Sequence, residues 1–339
     1  MKTPIQIAIK QVVAQQDLSR EQAEEVMNDM MTGQCTDAQI ASWLTAMAMK
    51  GETADEIAAG IDVMRKNAVH IKCDDESAVD IVGTGGDGVG TYNISTASVF
   101  VAAGAGVTVA KHGNRALSSK SGSADVLSSL GINTACSTEI METALQEIGV
   151  SFLFAPMLHP AMKHAIGPRR EMGIRSIFNL LGPMTNPAKA RRGLIGVFSK
   201  HYTKVLAEAA AKLGETHVIF AHGEDGLDEL SVTGPSYICE VKDGDLKESA
   251  ISPEEFGLGI WKLDDLLGGE PDENAKALRS VLSGQQGAYR DAVILNAAAG
   301  IFTSGKFESL QSSVEAATKS IDSGEALKKL DQLVQITNS

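Results

Sequence analysis

Cysteine is scarce and scattered in this chain: Cys35, Cys73, Cys136 and Cys239 stand far apart, with no C-x-x-C among them. That spacing argues against both a zinc site and a disulfide framework, and it leaves reduced thiols as the expected state. Long apolar runs are missing too. No stretch reaches the roughly 20 apolar residues of a membrane span, and the opening Met1-Lys2-Thr3-Pro4-Ile5-Gln6-Ile7 lacks the apolar run of a signal peptide. A cytoplasmic protein is expected. Positive charge is in deficit, since 30 Lys and Arg against 43 Asp and Glu give a formal net charge of −13. This argues against general nucleic-acid binding and means that a small anionic substrate needs a focused basic pocket. Internal repeats, low-complexity tracts and a G-x-x-x-x-G-K-[ST] phosphate loop are also absent. What remains is 339 residues, 43% of them apolar, long enough for one large domain and a smaller one.

The most informative stretch is Asp80-Ile81-Val82-Gly83-Thr84-Gly85-Gly86-Asp87-Gly88-Val89-Gly90-Thr91-Tyr92-Asn93-Ile94-Ser95-Thr96. It passes from an apolar strand through five glycines into a helix start. Gly83, Gly85, Gly86, Gly88 and Gly90 allow left-handed dihedrals and bring bare N–H groups close to an anion, while Ser95 or Thr96 is placed to cap the helix. Asp87 points beyond a bare anion: a carboxylate among phosphates accepts from sugar hydroxyls or assists a divalent cation, so a phosphorylated sugar is the expected ligand. Gly83, Gly85 and Gly88 also form a G-x-G-x-x-G, but the second strand, Gly106-Val107-Thr108-Val109-Ala110, ends in Lys111. A lysine offers no acceptor to a ribose diol, which counts against a dinucleotide.

Residues 1–72 read as helical, with capping boxes at Ser19 and Gln22, Thr36 and Gln39, and Thr53 and Glu56. Ile40, Trp43, Leu44 and Met47 form one apolar stripe. A module this small buries little alone, so an obligate dimer through these helices is expected. From about residue 73 to 339 the pattern turns to α/β, with strands expected at 78–82, 106–110, 132–135, 151–154, 193–197, 216–221 and 292–295. Helices are expected near 96–104, 123–130, 138–148, 201–213, 273–283, 309–320 and 323–335. The Pro- and Arg-rich segment 156–190 is not strand-like, and about 165–190 is expected to return to the helical module.

Ligands of open parallel sheets bind at the carboxyl ends of strands, so the loops there concentrate function. Lys111-His112-Gly113-Asn114-Arg115 followed by Ser118-Ser119-Lys120-Ser121-Gly122-Ser123 gathers cations, hydroxyls and a helix start into a second polyanion site. A basic surface loop with Ser123 as a simple cap is the plainer alternative, and His112 reads as hydrogen-bonded scaffolding. His222-Gly223-Glu224-Asp225-Gly226-Leu227-Asp228-Glu229 follows a strand, and its carboxylates, Asp228 and Glu229 foremost, suit Mg²⁺ with waters and substrate phosphates as the other ligands. In Pro168-Arg169-Arg170-Glu171-Met172-Gly173-Ile174-Arg175 a guanidinium fork suits an acceptor's carboxylate, although surface pairing with Glu171 explains it as well. His159 and His164 read as structural.

Gly83-Thr84-Gly85-Gly86-Asp87, Asn93-Ile94-Ser95-Thr96, Lys111-His112-Gly113-Asn114-Arg115, Asn179-Leu180-Leu181-Gly182-Pro183 with Thr185-Asn186-Pro187, and Asp228-Glu229 together resemble the anthranilate phosphoribosyltransferase family, over nearly the whole chain. The resemblance implies a nucleoside phosphorylase-like fold: a small N-terminal helical domain that dimerises, plus a large domain with a mainly parallel β-sheet flanked by helices. It implies transfer of a phosphoribosyl group from phosphoribosyl pyrophosphate to anthranilate, with two Mg²⁺ ions, in tryptophan biosynthesis. Phosphoribosyl pyrophosphate would meet Gly83, Gly86, Asp87, Thr91, Asn93, Ile94, Ser95 and Thr96, then Lys111, His112, Gly113, Asn114, Arg115, Ala116, Leu117, Ser118, Ser119 and Ser123. Anthranilate would meet Gly83, Asn114 and Arg169, with Arg170 one residue away as the alternative. Ser95, Asp228 and Glu229 would hold metal. No residue is expected to act as a covalent nucleophile, because positioning and electrostatics suffice. A pyrimidine nucleoside phosphorylase and a non-catalytic nucleic-acid-binding relative are the rivals within this fold.

Overall fold

The computed structural model describes residues 2–116 and 120–339. Its first four helices are α1 (Pro4–Val13), α2 (Arg20–Met31), α3 (Asp37–Lys50) and α4 (Ala54–Lys66). The last three start at the capping boxes read from the sequence. At Ser19, Thr36 and Thr53 the hydroxyl accepts from the N–H three residues on, and Gln22, Gln39 and Glu56 accept the reciprocal bond. The buried Glu56 carboxylate also accepts from Leu18 N–H at 2.9 Å and Lys50 Nζ at 3.0 Å, which ties the starts of α2 and α4 to the end of α3. The stripe Ile40, Trp43, Leu44 and Met47 is buried in one core with Ile177, Phe178 and Leu181 of a later helix, with Leu206 of the helix Lys200–Leu213, and with Val197 and Phe220 of the sheet layer.

Seven strands follow among the described residues: β1 (Asp80–Gly83), β2 (Val109–Gly113), β3 (Val150–Phe154), β4 (Arg192–Gly196), β5 (His217–Gly223), β6 (Ser236–Lys242) and β7 (Asp245–Ile251). The main sheet has the order β1-β4-β5-β6-β7; β1, β4 and β5 are parallel, while β6 and β7 are antiparallel. β2 and β3 form a parallel pair, joined beside β1 through a parallel bridge between Val79 and Val109. One sheet face packs on helix α5 (Ile94–Gly104) and the helix Ala288–Thr303, whose backbones are linked by Ser98 Oγ, which donates to Val293 O at 3.1 Å.

Two expected strands are not strands. Residues 132–135 form a turn in which the Asn133 side chain accepts from Ala135 N–H at 3.1 Å. Residues 292–295 lie inside the helix Ala288–Thr303, which is buried nearly all round. A short apolar run carries no period that separates a central strand from a central helix. The hairpin β6–β7 was not expected. Its signal is the Asp243-Gly244 turn with φ of 51° and 91°, a pairing suited to a two-residue hairpin, but β7 is almost wholly exposed and too polar to read as a strand.

Candidate active site

At the carboxyl end of β1 the chain enters the glycine loop. Gly85, Gly86, Gly88 and Gly90 take φ between 71° and 80°, the left-handed region expected of them. Gly83 does not. It closes β1, and it is bare for another reason, because a Cβ there would collide with the carboxylate of Asp228. That carboxylate accepts from Gly85 N–H at 2.6 Å. Its neighbour Glu229 reaches the other flank of the loop and accepts from Ser95 N–H at 3.1 Å, in the first turn of α5. Neither Ser95 nor Thr96 caps that helix: Asn93 holds the cap position without a side-chain cap bond, and the Glu229 carboxylate serves the helix start instead. The two acids beyond β5 thereby span the mouth of the loop.

The electrostatics of this cluster are unbalanced. Burial, then Glu229 and Asp87, pushes the Asp228 carboxyl well above the ordinary carboxylate range. Burial likewise raises Glu229 to about 7, against the opposing pull of Lys111 and of Ser95 N–H. Among the described residues no three His, Cys, Asp or Glu side chains form a ready-made metal cage. Two buried, mutually repelling carboxylates beside a phosphate-type loop nevertheless fit a hard divalent cation that takes one or two carboxylates and fills its shell with water and substrate oxygens.

Lys111 departs from its expected place. β2 runs on to Gly113, so Lys111 lies mid-strand and buried, and its Nζ donates to Ile81 O at 2.7 Å. Burial lowers its pKa, with Asp80 and Glu229 opposing. Its ammonium therefore faces the inner side of the acidic cluster rather than open solvent. His112 behaves as scaffolding: its N–H is held by the buried Asp80 carboxylate, Nδ1 lies 3.2 Å from Gly182 O, and its ring lies 5.1 Å from that of His159. Burial lowers His112 to about 3 and His159 to about 4, so both rings are neutral. Asn114 and Arg115 are exposed. Ser123 is the first helical residue rather than the cap, which is Gly122, and its hydroxyl donates to Asn114 O at 3.1 Å. The expected ligands Leu117, Ser118 and Ser119 lie outside the described residues.

The two candidate arginines are separated by their surroundings. Arg170 is exposed; Arg169 is half-buried over the Phe178 ring at 5.0 Å, with its pKa lowered to about 10 by burial. Among the described residues no carboxylate pairs with Arg169, and a desolvated guanidinium without an anion is suited to receive one from a ligand. The same segment supplies a residue that sequence reasoning left without a role. Arg175 stacks over Phe198 at 4.5 Å and donates to the Gly86 carbonyl, which fastens the Arg-rich segment to the glycine loop. Asp80 was also missed as a hub, accepting from His112 N–H and from Asn186 Nδ2 at 2.7 Å. A charged residue opening an otherwise apolar strand was its signal.

The profile described as the glycosyl transferase family helical bundle domain matches residues 6–68, and that of the glycosyl transferase family a/b domain matches residues 75–327. The anthranilate phosphoribosyltransferase of Pelotomaculum thermopropionicum is 49% identical over 335 residues, covering 99% of this chain and 97% of that protein. Among solved structures, the anthranilate phosphoribosyltransferase of Thermus thermophilus superposes with a TM-score of 0.92 at 42% identity, over 98% of this chain and 99% of that one. The Saccharomyces cerevisiae enzyme in complex with PRPP and Mg gives a TM-score of 0.89 at 27% identity, over 98% of both chains.

Proposed function

The chain belongs to the anthranilate phosphoribosyltransferase family, and from that premise we propose how its own residues divide the work. The enzyme transfers the phosphoribosyl group of 5-phosphoribosyl 1-pyrophosphate to the amine of anthranilate, giving N-(5-phosphoribosyl)anthranilate and pyrophosphate, a step of tryptophan biosynthesis. In this reading the donor lies across Gly83, Gly86, Asp87, Thr91 and Asn93 to Thr96, with the segment Lys111 to Ser119 and Ser123 completing the sites for its phosphates. What carries the reading is the pair of bonds by which Asp228 and Glu229 grip Gly85 and Ser95, since they set two carboxylates beside the anion loop. Bound there with Ser95, Mg²⁺, as one ion or two, would neutralise charge on the departing pyrophosphate.

Breaking the C1–O bond sends the electron pair to pyrophosphate and leaves positive charge on the ribose, while the amine lone pair forms the new C1–N bond and the nitrogen then loses a proton. An arylamine is neutral at pH 7, so no strong base is needed before attack. Arg169 would hold the anthranilate carboxylate, with Gly83 and Asn114 nearby, so that proximity supplies much of the rate. Its desolvation, with no paired carboxylate among the described residues, supports that role.

The same reading divides the chain into a helical unit, 1–72 with the returning segment 165–190, and an α/β unit, 73–339. Arg65 supports this division by donating from α4 to Met184 O at 2.9 Å. It also makes the protein a homodimer through the N-terminal helices, supported by the exposed apolar side chains Ile7 and Val13 of α1 and Met49 of α3. No described helix is long and apolar enough to cross a membrane, and four free cysteines fit a cytoplasmic site. The deciding assay follows anthranilate fluorescence with purified protein. Loss of signal that needs phosphoribosyl pyrophosphate, Mg²⁺ and enzyme together is expected; loss without Mg²⁺ would remove the metal from the scheme.

A further inference from the structure

The second half of the glycine loop is supported from below by a part of the chain with no assigned role. Gly90 to Tyr92 runs antiparallel to Leu266–Gly268, with Tyr92 N–H donating to Leu266 O at 2.9 Å and Gly268 N–H to Gly90 O at 3.0 Å. Gly268 has to be bare, because a Cβ would meet Thr91 O and the Asn274 amide at 2.8 Å. Beneath this ladder lies Asn274, 2% exposed, in the first turn of the helix Pro271–Leu282. Its Oδ1 accepts from Gly269 N–H at 2.8 Å, and its Nδ2 donates to Asn93 Oδ1 at 3.0 Å. Asn93 passes the connection on: Nδ2 donates to Ser121 O at 3.2 Å, and Oδ1 accepts from Ser121 Oγ at 3.3 Å. Tyr289 Oη donates to the Asn93 carbonyl at 3.2 Å, and its ring stacks on Tyr92 at 4.6 Å.

Asn93 therefore joins the two anion loops, and every polar atom of its side chain is used in doing so. We propose that Asn274 is the positioning residue of the donor site: by donating to Asn93 Oδ1 it fixes the orientation of that amide and locks the glycine loop to the loop that ends at Ser121. The inference rests on the reading above, that these loops bind phosphoribosyl pyrophosphate. Asn274 itself is too deep to touch a ligand. A buried amide with both ends engaged has one satisfying orientation, so its loss frees both loops at once.

Asn274→Asp separates this role from simple helix support. The carboxylate still accepts from Gly269 N–H and favours a helix start, but it has no proton to give Asn93, whose amide must flip and release the Ser121 carbonyl. The expected result is a rise of roughly tenfold or more in the KM for phosphoribosyl pyrophosphate, a matching loss of its affinity by calorimetry with Mg²⁺, and an anthranilate KM within about twofold of the parent. Should that variant yield little folded protein, Tyr289→Phe removes only the hydroxyl on the Asn93 carbonyl and is expected to raise the donor KM about threefold. Donor KM and affinity within about twofold in the folded variants would overturn the proposal. If the parent protein bound no phosphoribosyl pyrophosphate, the functional reading would fail first. Hydrogen exchange would then judge the brace, with faster exchange in 85–96 and 120–126 of Asn274→Asp supporting it and unchanged exchange refuting it.

Discussion

Arg169 and Arg170 are adjacent and chemically identical, yet their surroundings differ. The half-buried Arg169 has given up water without gaining a carboxylate among the described residues, whereas Arg170 remains exposed. A charge-assisted bond of about 1.5–3 kcal/mol corresponds to roughly 10- to 100-fold in binding. Arg169→Ala is therefore expected to raise the anthranilate KM by that factor and leave the KM for phosphoribosyl pyrophosphate nearly unchanged, while Arg170→Ala stays within about twofold on both. Steady-state kinetics with each substrate varied in turn checks this, and equal effects from the two variants would remove the distinction.

The glycine loop, as an element, holds its shape for two different physical reasons. Gly88 needs only a left-handed backbone, at φ 80° with open space where a Cβ would be. Asparagine tolerates that region, so Gly88→Asn is expected to keep activity within about threefold. Gly83 lies in a strand with ordinary dihedrals and is bare because the Asp228 carboxylate packs on it. Gly83→Ala must push that carboxylate off Gly85 N–H, so calorimetry should show donor binding with Mg²⁺ weakened by tenfold or more, on the order of what misplaced catalytic groups cost. Unaltered binding in Gly83→Ala would mean that Asp228 does not need its present seat.

At the scale of the whole molecule, pH dependence comes first. Burial holds His112 at about 3 and His159 at about 4, both below the ordinary histidine value. A depressed pKa means that the unfolded chain takes up these protons first, so their contribution to stability is complete above about 6.5 and is lost as pH falls toward 4. Asp80, raised by burial to about 6, acts in the opposite sense over the same range, as do Asp228 and Glu229, whose carboxyls burial also raises. Relative to His159→Gln, the parent should lose Tm as pH falls from 6.5 to 4 in thermal melts; an identical pH dependence in the two proteins would show that His159 is not a neutral buried group. The proposed dimer belongs to the same scale. Met49 is 76% exposed and Val13 66%, so Met49→Glu with Val13→Glu is expected to convert a dimer to a monomer in sedimentation velocity. A monomeric parent would refute the dimer outright.

What the sequence determined by itself was whatever depends on neighbours a few residues away. Three capping boxes, four of the five expected left-handed glycines, the strand leading into them and the acids after β5 are local patterns with local physical causes, and these are where they were expected. The family's motifs, in order along one chain, made the phosphoribosyl transfer legible too. Tertiary structure decided everything that needs partners from distant segments. An all-buried run at 292–295 is a helix because two helices and a sheet cover every side of it. Lys111 turns inward because β2 continues for two residues beyond it. Gly83 is a glycine because of Asp228, Arg169 is singled out by the Phe178 ring, and Asn274 is joined to Asn93 across 181 positions. Local patterns fix backbone conformation where caps and turn glycines act, but which way an all-buried run folds, which charge is desolvated and which amide is paired depend on chain segments that meet only when the fold closes.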